Sequence, residues 1–181
     1  FLSTLTATPV KATSRTIVVP DDYPSIQEAI DAADTGDFIY VRSGIYNESI
    51  EIKKGIKLVG ECTEATVINA LDDHVILIQA YGDIMIANFT LRSNGNYMGI
   101  VGRWRSLKII NNIITNTLYP IFLQSNSDVI IKGNRMEKNK NCLMLSGGCN
   151  KIVIENNTIG LGIIVFFSSN VIIKDNKTPY I

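Results

Sequence analysis

Few residues in this 181-residue chain have the type and spacing that chemistry requires. The single histidine closes the triplet Asp72-Asp73-His74, a combination that can bind a metal or move a proton. It falls where a long turn separates two apolar stretches, and a solvated turn is the better reading. Three cysteines, Cys62, Cys142 and Cys149, leave at least one thiol without an intrachain partner. They show no CxxC or Cys/His zinc spacing. Cys142 and Cys149 flank Leu143-Met-Leu-Ser-Gly-Gly148, a strand and turn that can bring them together; a disulfide and two small buried side chains are the open alternatives. Arg103-Trp104-Arg105 sets the only tryptophan between two guanidinium groups. An exposed ring there can stack on a sugar face while the arginines pair with carboxylates or phosphates; the alternative is a ring folded over a turn with two solvated arginines. Asn47-Glu-Ser49, Asn88-Phe-Thr90, Asn156-Asn-Thr158 and Asn176-Lys-Thr178 match the glycosylation pattern, expected of an exported or cell-surface chain. These residues predict no metal and no cofactor.

Composition narrows the class of protein. The apolar fraction is 46% and the charged fraction 19%, values of a globular domain with a sizeable core, and the length suits one such domain. Seventeen basic and seventeen acidic residues cancel, which argues against a nucleic-acid partner. No run of about 18 apolar residues exists to span a membrane. The balance hides a division: residues 1–90 hold six basic and thirteen acidic side chains, and residues 91–181 hold eleven and four. One half therefore carries −7 and the other +7.

The elements that position these residues come from an internal repeat. Ile84-Met-Ile86, Leu107-Lys-Ile109, Val129-Ile-Ile131, Ile152-Val-Ile154 and Val171-Ile-Ile173 open five similar units within residues 81–178. Their second aliphatics are 23, 22, 23 and 19 residues apart. Three residues further on stand Asn112, Asn134, Asn157 and Asn176, with Phe89 in that place in the first unit. An asparagine once per turn predicts a stacked ladder of amides, at a tight bend whose left-handed backbone asparagine tolerates. Short strands of period two in a repeat of about 22 residues, with no helix per repeat, predict an all-β parallel β-helix of about six to seven coils.

The start of the chain differs. Residues 1–12 read either as a signal-peptide remnant ending at Val10-Lys11-Ala12 or as a strand-forming arm, in which Thr4, Thr6 and Thr8 alternate with Leu5, Ala7 and Pro9. Residues 13–181 read as one domain. Residues 24–35 predict a short amphipathic helix, with Ile26, Ala29, Ile30 and Ala33 on one stripe, able to cap the stack. Ile17-Val-Val-Pro20, Tyr23-Pro-Ser-Ile-Gln-Glu-Ala-Ile-Asp-Ala-Ala33, Gly36-Asp-Phe-Ile-Tyr-Val-Arg-Ser-Gly-Ile-Tyr46 and Ile56-Lys-Leu-Val-Gly-Glu61 resemble the opening of pectin-lyase-like right-handed β-helix proteins. The resemblance covers residues 16–178 and implies the fold. The superfamily spans lyases, esterases, glycosidases and non-catalytic proteins, so activity does not follow from it.

Enzymes of that superfamily place acidic and basic side chains from consecutive coils on one external sheet, esterases using two Asp with an Arg. The repeat half holds only Asp128, Glu137, Glu155 and Asp175, without such a pattern, and no catalytic residue is predicted. The repeats run to Ile181 without a capping helix, which exposes strand edges and favours association. With one acidic and one basic end, the expectation is a non-catalytic extracellular module that binds its own copies head to tail. Phe1, Leu2, Leu5 and Ala7 of the arm and Ile173, Tyr180 and Ile181 of the last coil would make the contact. The alternative is a polysaccharide-binding or polysaccharide-active β-helix, with Arg103, Trp104 and Arg105 on the glycan.

Overall fold

A computed structural model describes residues 13–103 and 105–178, Arg105 by its backbone only. The chain winds through about seven turns, each adding one short strand to each of three parallel sheets. The first sheet has eight strands: Thr16–Val19, Phe38–Val41, Lys57–Gly60, Ile84–Ala87, Arg105–Ile110, Ser127–Lys132, Asn150–Glu155 and Ser169–Lys174. The second and third sheets have six each, the second starting at Gly44–Tyr46 and the third at Ile50–Ile52.

The aliphatic repeat sets the register. Ile39, Leu58, Ile86, Ile109, Ile131 and Ile154 stack on one another in the first sheet, all with no exposed surface. Parallel strands covered on the inner face favour such β-branched and aliphatic runs, and every added coil buries another layer of them. The stack extends beyond the repeat legible in sequence, since Ile17 pairs with Ile39 at its beginning.

Between the first and second sheets the chain turns in two residues at most coils, and here the ladder forms. Asn134 Oδ1 accepts the backbone and side-chain N–H groups of Asn112 at 2.9 and 3.1 Å. Asn157 Oδ1 does the same for Asn134 at 2.8 and 3.0 Å, and Asn176 Oδ1 for Asn157 at 3.0 and 2.9 Å. Each Nδ2 also donates to a carbonyl of the preceding coil, from Ile86, Ile109, Ile131 and Ile154. Asn112 takes the backbone N–H of Phe89, whose ring fills the place of the missing rung and is fully buried. One expectation is corrected. The left-handed residue is the one before each rung, Asn88, Asn111, Gly133, Asn156 and Asp175, with φ between 53 and 67°. The first residue of the corner reverses the backbone, and this turns the second side chain inward beneath the sheet.

The predicted helix is Ile26–Ala32, shorter than residues 24–35 because Ser25 is its extended N-cap and Ala33 its extended C-cap. It lies across the N-terminal end of the stack against Thr16–Val19, Phe38–Val41 and Ile50–Ile52, burying Ile26, Ala29 and Ile30. Its ends are held by side chains from the first coils. Ser25 Oγ accepts the Glu28 N–H, and the Glu48 carboxylate accepts those of Ile26 and Gln27, both at 3.0 Å. At the other end Lys54 Nζ donates to the Asp31 and Ala33 carbonyls. The Gln27 amide pairs with both backbone groups of Glu51, which blunts that edge strand.

Cys142 and Cys149 are buried free thiols and Cys62 is an exposed one. The close approach of coils leaves some positions no room for a side chain. A Cβ on Gly99 would meet the Pro120 carbonyl oxygen and lie 2.7 Å from Ile114 Cγ2. Gly99→Ala is expected to cost about 2 kcal/mol by overpacking, measured by urea denaturation.

Candidate functional site

The third sheet carries the most developed surface. Its strands bury alternate residues, for example Ile76 and Ile78, so the middle residue of each points outward. Register aligns these outward residues into one row: Glu51, Leu77, Val101, Phe122, Met144 and Ile164. Five successive positions are apolar, which is unusual for the solvent side of a strand. Gln79 and Arg103 stand just past their strand ends and Gln124 at the end of its own, and Arg103 Nε donates to Gln124 Oε1 at 3.1 Å. Leu77, Val101 and Phe122 form the floor and these polar groups one rim of a groove of about 560 Å3. The Phe122 ring is braced by Tyr119, with centroids 5.8 Å apart.

His74 closes the opposite side and also borders a second groove of about 440 Å3 toward the helix, lined by Asp31, Glu51, Lys53 and Asp73. Its Nδ1 accepts the Met98 backbone N–H at 3.2 Å, and its ring meets the edge of Tyr97 at 6.3 Å. A neutral imidazole with Nδ1 so engaged carries its hydrogen on Nε2. Asp72 and Asp73 occupy the exposed turn that the sequence predicts, but His74 is half-buried and packed. Lys53 pairs with Glu51 at 2.6 Å. Among the described residues no group of three or more His, Cys, Asp or Glu could hold a metal ion.

The remaining candidates are dispersed. Arg103 is exposed at the groove rim, the Arg105 backbone begins the next first-sheet strand, and Trp104 lies outside the described residues. Phe1, Leu2, Leu5, Ala7, Tyr180 and Ile181 also lie outside them. Ile173 is 48% exposed on the last described coil. Asn47 and Asn156 are exposed and Asn88 is half-buried, whereas Asn176 Nδ2 already donates to the Ile154 and Lys174 carbonyls.

The repeat-half carboxylates do not converge. Glu155 is bridged by Lys132 at 2.7 Å and Lys174 at 3.0 Å, Glu137 by Arg135 at 2.6 Å, and Asp128 by Lys151 at 3.7 Å. Hydrogen bonds from Lys132 and Lys174 hold the Glu155 carboxyl below the usual range. The Ser43 N–H does the same for Glu61, and Arg42 for Asp21. All three are structural pairs away from the groove.

Sequence reasoning missed the groove floor, Leu77, Val101 and Phe122, together with Gln79 and Gln124. The signal was present as apolar residues on both faces of the third strand of successive coils.

A family model for a right-handed β-helix region matches residues 55–178. Among solved structures, the pectin methylesterase of Aspergillus niger is 16% identical, with 94% of this chain and 78% of that one covered at a TM-score of 0.52. The pectin methylesterase PemA of Erwinia chrysanthemi is 14% identical, with 87% and 67% covered at 0.50. A pectin methylesterase variant in complex with a hexasaccharide is 14% identical, with 86% and 67% covered at 0.52. At these identities the likeness concerns the fold. No curated protein matches in sequence. Over more than half its length the chain matches one family, and it belongs to the right-handed β-helix proteins.

Proposed function

We propose that this protein is a non-catalytic, exported glycan-binding module that holds an extended polysaccharide across the strands of the third sheet. The observation that carries the reading is the groove floored by Leu77, Val101 and Phe122 and rimmed by Gln79, Arg103 and Gln124. An apolar floor suits the faces of pyranose rings, and amide and guanidinium groups suit their hydroxyl or carboxylate oxygens. The fold neighbours add support, one of them having been crystallised with a hexasaccharide. Binding without turnover fits the lining of this groove, where Arg103 has Gln124 beside it and no carboxylate among the described lining residues.

Depletion of the protein by insoluble polygalacturonate, and titration with its oligomers, tests the proposal. Phe122→Ala is expected to weaken binding on the order of tenfold, since it removes an aromatic anchor. The substitution faces outward and should leave the thermal midpoint nearly unchanged. Binding that is undiminished in both Phe122→Ala and Arg103→Ala would sink the assignment of the groove.

Self-association is the second reading. Apolar side chains are exposed at the last described coil, Phe167 at 91%, and the two halves carry opposite net charge. Against head-to-tail stacking, the helix Ile26–Ala32 already covers the end that a neighbour's last coil would meet. Sedimentation velocity over a range of concentrations decides it, a constant monomer overturning the reading.

A further inference from the structure

The outer face of the first sheet has no part in the groove. Register lays two rows of side chains along it. In the N-terminal half one row is apolar, with Tyr40, Val59, Ala87 and Ile110, while the other carries Lys57 and Lys108 with Met85 between them. In the C-terminal half the roles exchange: Ile130, Val153 and Ile172 continue the lysine row, and Lys132 and Lys174 stand in the first. The result is an apolar band that crosses the sheet diagonally with lysines on either flank. Glu155, on the same face, is neutralised by Lys132 and Lys174. Lys57 and Lys108 are exposed and have no acidic partner among the described residues.

We propose that this face docks an acidic amphipathic α-helix of a partner protein. Lys57 and Lys108, the two lysines of this face without an acidic partner among the described residues, are two strands apart, a separation of roughly 9.6 Å at the usual strand spacing. Seven residues of α-helix advance about 10.5 Å, so carboxylates one heptad apart meet Lys57 and Lys108 while the apolar stripe follows the band. The band is about one helix wide, its two rows lying roughly 6.6 Å apart along the strands. A second copy is a poor occupant: face to face it would set lysine against lysine. The helix found among the described residues, moreover, has its apolar side buried against its own coils. A bilayer is a poor occupant too. Tyr40, Val59, Ile110, Ile130 and Val153 are half-buried, and Ile172 is the exposed one of the band's large apolar residues, whereas interfacial anchoring needs several protruding apolar groups.

The test uses two synthetic three-heptad peptides with leucine on one side, one flanked by glutamates and the other by lysines, titrated by fluorescence anisotropy. The glutamate peptide is expected to bind, and the lysine peptide at least about tenfold more weakly. A Lys57→Glu/Lys108→Glu double variant, with unchanged circular dichroism and thermal midpoint, should lose the glutamate peptide and gain the lysine one. Equal binding of both peptides, binding of neither, or unchanged preference in the double variant would overturn the proposal. So would co-sedimentation with phosphatidylcholine–phosphatidylglycerol vesicles in place of peptide binding.

Discussion

Asn134→Ala is expected to lower stability by about 4 kcal/mol, which for a chain of this size moves the thermal midpoint down by roughly 10 °C. Asn134 is 1% exposed and stands at the middle of the ladder. Its amide donates to the Ile109 carbonyl and to Asn157 Oδ1, and its oxygen accepts from both nitrogens of Asn112. Alanine leaves the Asn112 backbone N–H and the Ile109 carbonyl buried without these bonds and strips one bond each from Asn112 Nδ2 and Asn157 Oδ1; each buried group left unpaired costs about 1–3 kcal/mol. The loss should also be local, because each coil touches only its neighbours. Hydrogen exchange should show strands from Asn150–Glu155 onward opening before those near the helix. Asn176, half-buried in the last described coil, supplies the comparison. Asn176→Ala should cost markedly less, and equal losses at the two positions would contradict a ladder whose worth comes from burial.

The second large effect concerns Asp37, whose side chain is 3% exposed. It accepts the Arg15 N–H and Arg15 Nε at 2.9 Å and the Asp34 N–H at 2.8 Å, tying the first strand to the segment after the helix. Burial pushes its carboxyl up, yet the backbone N–H groups of Asp34 and Arg15 and the Arg15 guanidinium outweigh this and hold it below the ordinary aspartate value. A carboxyl so depressed contributes stability that is fully present above its unfolded-chain pKa of about 3.9 and is lost as pH falls through the lower folded value. Asp37→Asn is therefore expected to destabilise by about 3 kcal/mol at neutral pH, with the difference from the parent shrinking in acid. Denaturant melts at pH 7 and across the range below pH 4 check both statements. A difference that stays constant in acid would show that the charge of Asp37 is not what holds the segment. Arg15→Ala should cost less, because half of that side chain is already in water.

How much was legible in the sequence follows from how the corners are built. Two residues separate first-sheet from second-sheet strands at nearly every coil, as between Ile110 and Ile113 or Lys132 and Arg135. That constancy keeps the aliphatics and ladder asparagines at a fixed offset, so the repeat, the parallel sheets and the asparagine positions could be read directly. The corner between the second and third sheets varies, from three residues after Tyr46 to seven after Arg92. A one-residue change of register exchanges inner and outer faces, so the outward row Leu77, Val101, Phe122 has no constant spacing to reveal it. The sequence places His74 in a solvated turn, since its partner, the Met98 N–H, comes from the next coil.

The sequence by itself determined the class of fold, the approximate number of its coils, the helix over its first end and the polarity of its charge. Each of these depends on periodicity or on nearest neighbours along the chain. Tertiary structure alone decided which side chains meet across coils, some 22 residues apart in sequence but one strand spacing apart in space. The apolar groove with Arg103 on its rim, the pairing of Glu155 with two lysines and the diagonal band on the first sheet all arise in this way. Those contacts lie perpendicular to the strands, in a direction that no local pattern of residues encodes.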